Sequence, residues 1–306
     1  MISCPQSELQ RLAGQRSMTA LEAAVRSQVP VTQGRQGEPS SPWNTWVDAR
    51  HLDINDRRDG QDLDGKSSVV AVGADRWVAE DTVAGVSVSV DSSRSDGFGG
   101  AWENASDGFS VSPYVAYRLS RDWALDASLI WRFGDNETDI ATLEGDYDTE
   151  SFGGAINAHG QYHWGEALLR PTVSVYYSHE RSDDYDLSGD VVGAPVRVEV
   201  PGDSWNVGVA TLSGEVSRLW TIDQENLVMP YLEAGVEWAF ERPNDGRYLN
   251  ADLQWEEPSD WTGTLRGGAR WLMGEATLLE VSAGYLSLGH DDLDVWEGRL
   301  YLSYGF

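Results

Sequence analysis

The sequence predicts an all-β fold: a twelve-stranded antiparallel transmembrane β-barrel with an N-terminal α-helix inside its pore. Three observations lead to this prediction. Apolar residues alternate with polar or small ones along twelve segments, the connections between these segments alternate between short and long, and tryptophans gather at the segment ends. A hydrophobic fraction of 41% with 14 tryptophans also indicates a folded chain, because disordered chains lack aromatic residues.

Composition excludes several classes of protein. The formal net charge is −28, from 22 basic and 50 acidic residues, whereas nucleic acid binding depends on clustered Lys and Arg. No uncharged apolar run approaches the roughly 18 residues of a membrane-spanning helix. Cys4 is the only cysteine, so no internal disulfide can form, and the sequence has no cysteine-histidine motif for zinc. We therefore expect no nucleic acid partner, no metal and no cofactor.

Residues 1–30 are predicted to form an N-terminal segment with one helix, over residues 7–28. Ser7 and Gln10 fit a capping box, in which the two side chains satisfy free backbone N–H groups of the first turn. Residues 31–42, rich in Gly and Pro, are predicted to be a linker because these residues stop helices. Apolar residues recur at helical spacing before it, at Leu9, Leu12, Ala13, Ala20, Leu21, Ala24 and Val25.

The barrel is predicted to occupy residues 43–306. Successive side chains of a strand point to opposite faces, so Leu125 and Leu129 share one face while Asp126 and Ser128 share the other. Most segments reach the roughly 9–11 residues that a tilted strand needs to cross hydrocarbon, whereas strands of soluble sandwiches are nearer 5–6 residues. The segments lie near 43–53, 67–78, 82–91, 109–119, 123–134, 150–162, 167–178, 204–219, 228–241, 261–272, 277–289 and 293–306.

The connections predict the orientation of the barrel. Bacterial outer-membrane barrels have short periplasmic turns and longer outer loops, and an even number of strands leaves both barrel ends on one side. We therefore expect an integral outer-membrane protein, its loops facing the cell exterior and its wall contacting lipid and lipopolysaccharide. Short turns near 79–81, 120–122, 163–166, 223 and 273–276 alternate with long connections at 54–66, 92–108, 135–149, 179–203 and 242–260.

Tryptophans beside the short turns predict an aromatic girdle, because their amphipathic rings favour the boundary between water and lipid. Tryptophans of a soluble core would not select strand ends. The predicted girdle consists of Trp77, Trp123, Trp164, Trp220 and Trp271. A second girdle is predicted near the opposite strand ends, at Trp131, Trp205, Trp238, Trp261 and Trp296.

The polar face of the strands predicts an acidic lumen. Its acids are Asp126, Glu233, Glu237 and Glu280. An unpaired charge inside a narrow pore is costly, so these acids need partners. The candidates are Arg11, Arg16 and Arg26 on the predicted helix, together with Arg266 and Arg270 on a strand.

The order of a helical segment, a linker, twelve strands and a terminal aromatic resembles the β-domain of bacterial autotransporters. The resemblance covers nearly the whole chain and is carried by SSVVAVGADRWVAEDTVAGVSVSV (67–90), SPYVAYRLSRDWALDASLIW (112–131) and YLSYGF (301–306). It implies a twelve-stranded outer-membrane barrel with a helix in its pore, which exports or displays an N-terminal passenger. It also implies that the barrel-assembly machinery reads a C-terminal strand signal, here Leu302, Tyr304 and Phe306. The family pattern usually has glycine where this chain has Tyr301.

Other functions stay open at this stage. A passenger-less structural or porin-like barrel would have the same strand pattern, and a soluble acidic β protein is a further alternative. A hydrolase at the outer rim would use Asp183-Asp184 with His290-Asp291-Asp292, residue types that can activate water. The Asp-rich loop 53–65 departs from the calcium-loop pattern at Arg57, and His159 and His163 lack a third metal donor. We therefore expect no catalytic and no metal-binding residues.

The beginning of the chain carries no apolar export signal and no passenger repeats. We expect the chain to be the C-terminal part of a longer precursor, or a relic whose start codon lies elsewhere. Some autotransporters release their passenger by means of an asparagine in the pore helix, but no asparagine precedes Asn44. A retained passenger, or one cut by another protease, is therefore expected, on a barrel that is a monomer.

Overall fold

The computed structural model describes residues 25–36, 41–58, 62–249, 254–257 and 259–306. Within them, twelve long strands form one antiparallel sheet, and β1 pairs with β12 to close it into a barrel. The predicted twelve-stranded antiparallel barrel is thereby confirmed. The strands are β1 (Trp43–Asp56), β2 (Leu63–Ala79), β3 (Thr82–Gly97), β4 (Trp102–Arg118), β5 (Trp123–Ile140), β6 (Leu143–Gly160), β7 (Ala167–Ser182), β8 (Ser204–Arg218), β9 (Asn226–Glu241), β10 (Trp261–Met273), β11 (Thr277–Leu288) and β12 (Leu293–Gly305).

Shorter elements complete the described fold. Residues 25–27 are helical, whereas residues 7–24 of the predicted helix lie outside the described residues. A 3-10 helix spans Gln33–Arg35, and a second one spans Pro243–Gly246. No helix in this part of the chain has the length and hydropathy needed to span a membrane. Short strands lie at Tyr162–Trp164, Tyr185–Val191, Ala194–Val200, Trp220–Thr221, Tyr248–Leu249 and Trp255–Glu256.

The two ends of the barrel differ. At the end that we call the turn end, the connections follow β2, β4, β6, β8 and β10, and the barrel begins at Trp43 and finishes at Gly305. At the loop end, the strands extend further than the sequence pattern predicts. Of the predicted connection 92–108, only residues 98–101 lie outside β3 and β4, and only 141–142 separate β5 from β6. Strand pairing continues there although the apolar contrast between the faces is lost, because backbone hydrogen bonds do not require apolar side chains.

The outer wall of the barrel is apolar. Large side chains such as Val88, Leu129 and Leu232 are 44–57% exposed, and they alternate along their strands with side chains that face the interior. Contiguous apolar surface on this scale is rare on a soluble monomer, and in a transmembrane barrel it faces the acyl chains. The soluble alternative is therefore inconsistent with the fold.

Candidate functional site

The lumen contains a row of buried charges centred on Glu280 of β11, whose side chain is 1% exposed. Arg270 Nε on β10 donates to Glu280 Oε2 at 2.7 Å. Arg299 Nη1 on β12 lies 3.6 Å from Glu280 Oε1, and the Tyr231 hydroxyl donates to the same oxygen at 2.8 Å. Neighbouring strands therefore present opposite charges to one carboxylate.

The row continues in both directions along the wall. Arg299 Nη2 lies 2.8 Å from Asp48 Oδ2 on β1, across the closing seam of the barrel. In the other direction, Arg270 holds Glu215 of β8 through two hydrogen bonds of 2.7 and 2.6 Å. Arg170 of β7 lies 3.9 Å from Glu215. We call this row the ionic girdle: Asp48, Arg299, Glu280, Arg270, Glu215 and Arg170.

Charge balance explains how the girdle is tolerated. Its three carboxylates and three guanidinium groups have a net charge of zero. Buried charges destabilise a fold unless they are paired and hydrogen-bonded. A second pairing lies beside it, where Arg266 contacts Glu233 at 2.9 Å and Glu297 at 2.8 Å. Most of the buried carboxylates named here are therefore paired with an arginine on a neighbouring strand.

The structure places the sequence-predicted acids as follows. Glu233 and Glu280 contact Arg266 and Arg270, the strand partners expected for the lumen. Asp126 instead accepts a hydrogen bond from Asn157 at 2.6 Å and lies 2.6 Å from His159 Nε2. Glu237 is half-buried and lies on the same face of β9 as Glu233.

The predicted helix arginines are only partly described. Arg26 donates to the carbonyl oxygen of Glu166 at 3.3 Å, in the turn between β6 and β7. Arg11 and Arg16 lie outside the described residues. Sequence reasoning missed Arg299, whose position opposite Leu300 and Leu302 on β12 already indicated an inward side chain.

Residues 25–36, the turn-end segment, cross the lumen at the turn end. On one side, the Val29 N–H donates to the carbonyl oxygen of Arg121 at 2.8 Å, and Arg121 Nε donates to that of Ser27 at 2.7 Å. Gln161, after β6, donates to the carbonyl oxygen of Val25 at 2.9 Å. These bonds fix the segment to the β4–β5 turn and to the end of β6.

The opposite wall holds the same segment near residue 33. Gln33 donates through its side-chain amide to the carboxylate of Glu280 on β11. Arg299 Nη2 on β12 donates to Gln33 Oε1 at 3.0 Å, and Ser303 Oγ donates to the carbonyl oxygen of Gly34 at 3.4 Å. Part of the predicted linker 31–42 is therefore integrated into the lumen wall.

Two apolar clusters line the turn-end lumen, where sequence reasoning predicted a polar surface. Val31 packs with Val83, Ala116 and Trp77 in the smaller cluster. The larger cluster surrounds Val25 and contains Leu168, Leu219, Leu227, Met229, Leu272, Leu278 and Tyr301. The sequence pattern hid these residues, because they share the inward face with the charged residues further along the same strands.

Two predicted girdle tryptophans point inward. Trp77 contacts Val31 and lies 5.1 Å from the Arg35 guanidinium, so its assignment to the outer girdle is wrong. The strand alternation explains this, because Trp77 shares its face with Gly73 and Asp75. Trp205 pairs with the inward Glu180 and also faces the lumen.

The remaining turn-end tryptophans lie on the outer surface. Trp164 is 71% exposed, and the Trp123 indole donates to the Tyr162 hydroxyl at 2.7 Å. Trp220 and Trp271 are exposed as well. Near the opposite strand ends, Trp131, Trp238, Trp261 and Trp296 are also exposed on the outside.

The final strand presents two distinct faces. Leu302, Tyr304 and Phe306 are exposed on the outer wall, with the rings of Tyr304 and Phe306 stacked at 6.2 Å. Tyr301 points inward and stacks with Trp46 at 6.2 Å. Tyr301 therefore belongs to the inner face of the last strand and packs in the turn-end lumen.

The residues considered for catalysis are not brought together. Asp183 follows β7 and His290 follows β11, so four strand spacings, or about 19 Å of wall, separate the strands from which they extend. His290 Nε2 lies 2.8 Å from Thr262 Oγ1. Burial and the nearby Arg58 and Arg242 lower the pKa of His290.

No group of three or more metal-ligating side chains occurs among the described residues. In the described part of loop 53–65, arginines engage the carboxylates: Arg57 lies 2.8 Å from Asp62 and 3.1 Å from Asp64. Arg58 likewise pairs with Asp56 at 2.6 Å. These ion pairs engage carboxylates in the described part of the loop.

An open cavity of about 630 Å³ lies on the wall near the loop end. Phe109 and Phe133 line it, together with acidic side chains that include Asp107, Asp135 and Asp148. The pKa of Asp148 is raised because its carboxyl group shares a hydrogen bond with Asp135 and lies beside that negative charge.

The comparisons with known proteins agree with this geometry. A family model described as the autotransporter beta-domain matches residues 45–284. The translocator domain of the autotransporter NalP from Neisseria meningitidis superposes with a TM-score of 0.71 at 13% identity, covering 98% of this chain and 97% of that one. No curated protein sequence matches the chain.

Two further solved structures share the fold. The beta domain of the Bordetella autotransporter BrkA superposes with a TM-score of 0.68 at 19% identity, covering 87% of this chain and 100% of that one. The transport unit of the autotransporter AIDA-I from Escherichia coli has a TM-score of 0.57 at 16% identity, covering 87% and 91%.

Proposed function

The chain belongs to the autotransporter beta-domain family, and we propose that it carries an N-terminal passenger outward through its lumen and anchors it in the outer membrane. One observation supports this proposal above all. Residues 25–36 cross the lumen before the chain enters β1 at Trp43, and Val25, the first described residue, is buried inside the barrel. The mechanism is physical, because the closed barrel satisfies its backbone hydrogen bonds in lipid.

The proposed partners follow from the two surfaces of the wall. The apolar outer face, bordered by exposed tryptophans, suits membrane lipid and lipopolysaccharide. The barrel-assembly machinery would read Leu302, Tyr304 and Phe306, which lie on the outer face of the last strand. Residues 7–28 would cross the pore as a helix, held there by the described contacts of residues 25–28.

The proposed orientation places the loop end outside the cell. We expect Ala101→Cys, between β3 and β4, to react with a membrane-impermeant maleimide on intact cells, and Glu80→Cys, between β2 and β3, to react only after lysis. Both residues are exposed in turns at opposite ends of the barrel. A Cys4→Ser background removes the native thiol, and labelling of Glu80→Cys alone on intact cells would reverse the orientation.

Export itself is tested with an epitope tag and an export signal joined ahead of residue 1. We expect external protease to remove the tag from intact cells while the barrel keeps its faster migration in unheated gels. The control is the same fusion in cells without protease. A folded barrel whose tag stays protected would support the passenger-less alternative.

A further inference from the structure

We propose that the turn-end segment, residues 25–36, is the ion seal of this barrel, closing the lumen by dry packing whatever lies deeper in the pore. The inference deepens the proposed function and rests on it, because this segment would remain at the turn-end opening of the lumen once the passenger has been exported. The sequence predicts a helix over residues 7–28 inside the pore, which is the other candidate for closing the lumen. The described contacts point instead to the residues that follow most of that helix.

The geometry supports closure because the segment reaches opposite walls. Val29 is bonded to the β4–β5 turn, whereas Gln33 is bonded to Glu280 of β11 and Arg299 of β12. In a ring of twelve strands, five strands separate β5 from β11 in either direction. Residues 29–33 therefore cross the mouth near its diameter.

Three valines of the turn-end segment are buried and exclude water from it. Val25 and Val29 are 2% exposed and Val31 is 1% exposed. Val25 and Val31 fill the two apolar clusters of the turn-end lumen. Hydrophobic constrictions stop ions by excluding water, and the paired ionic girdle lies directly beside this packing, at Glu280 and Arg299.

An arginine fastens the segment to the rim. Arg35 Nε donates to Asp75 Oδ1 at 2.8 Å, and its Nη1 donates to the carbonyl oxygen of Ser41 at 2.6 Å. The Arg35 guanidinium also lies 5.1 Å from the Trp77 ring centroid. Asp75 accepts a further hydrogen bond from the Tyr114 hydroxyl at 2.8 Å. This buried cluster fixes the position of the valines relative to the start of β1.

The test compares two triple variants of the full chain in planar lipid bilayers. V25T/V29T/V31T keeps the branched side-chain shape but replaces one methyl group of each valine by a hydroxyl group that admits water to the seal. V86T/V88T/V90T makes the same change on the exposed outer face of β3. We expect the first variant to lose the closed baseline and show stepwise openings, while the wild-type protein and the second variant stay closed.

Other outcomes would overturn the seal. Heat-modified migration confirms folding of each variant, so a folded V25T/V29T/V31T protein that stays closed would refute it. Steady openings of the wild-type protein would refute it too. If L12S/L21S opens the pore and the valine variant does not, the predicted helix is the seal. Arg35→Gln removes the ion pair with Asp75 and leaves the valines unchanged, so we expect it to give intermittent openings. An Arg35→Gln protein without openings would show that Arg35 does not hold the segment in place.

The experiment separates this proposal from the proposed function. Conductance is measured on purified protein without a passenger, so openings of the valine variant stand even if the export assay fails. Conversely, a working export assay with an unaffected valine variant would remove the seal and leave the translocator.

Discussion

Glu280→Gln is expected to lower the free energy of unfolding by about 3–5 kcal/mol, the usual cost of removing one partner from a buried ion pair. The shape of the side chain is kept, but Arg270 and Arg299 lose the charge that lies between them. The effect extends to the closing seam, because Arg299 also holds Asp48 of β1. Urea titration of the detergent-folded protein, followed by unheated gels, measures the loss.

Glu237→Gln is the matched control for this prediction. Glu237 lies on the same wall and is half-buried, whereas Glu280 is almost fully buried between two arginines. We expect its substitution to leave the urea midpoint nearly unchanged. Equal effects of the two substitutions would show that the girdle contributes nothing specific to barrel closure.

Val88→Arg is expected to cost about 2–4 kcal/mol, the penalty for an arginine on the lipid face near the middle of the membrane. Val88 is exposed on the outer wall near the middle of the spanning part of β3. Folding efficiency into lipid vesicles, measured against urea, reports the penalty. The physical reason is that the guanidinium group must leave water for hydrocarbon.

Ser87→Arg places the same side chain one residue away, on the lumen face. Ser87 pairs with Gly73 and Ser112 on the face that lines the lumen, so the guanidinium group is not forced into hydrocarbon. We therefore expect a smaller loss, although the Trp46 ring that covers Gly73 must shift to admit the side chain. If Val88→Arg folded as well as the wild-type protein while Ser87→Arg did not, the assignment of the two faces would be reversed.

The sequence predicted most strand positions because alternation is a local property. Every strand predicted between residues 43 and 306 is present, and Leu125 and Asp126 lie on the faces that the pattern indicated. The boundaries at the loop end were missed for a physical reason. Beyond the membrane both faces can be polar, so residues 92–97 and 102–108 pair as strands without an apolar signal.

The candidate site was less accessible to sequence reasoning. The acids Glu233 and Glu280 and the arginines Arg266 and Arg270 could be found from their alternation. Trp77 lies beside a turn, as a girdle residue would, but the face that it shares with Asp75 points into the lumen. The burial of Val25 and Val31 could not be predicted from the sequence, because a valine in a helix or a linker does not show which strands it packs against.

By itself, the sequence determined a lipid-facing, twelve-stranded wall with charged residues on its inner face, because strand periodicity needs only neighbouring residues. Only the tertiary structure decided how the lumen is filled. Asp48 meets Arg299 across 251 positions of chain, and Gln33 reaches both Glu280 and Arg299. Such contacts exist only once β1 and β12 are joined, because ring closure alone brings distant strands around one interior.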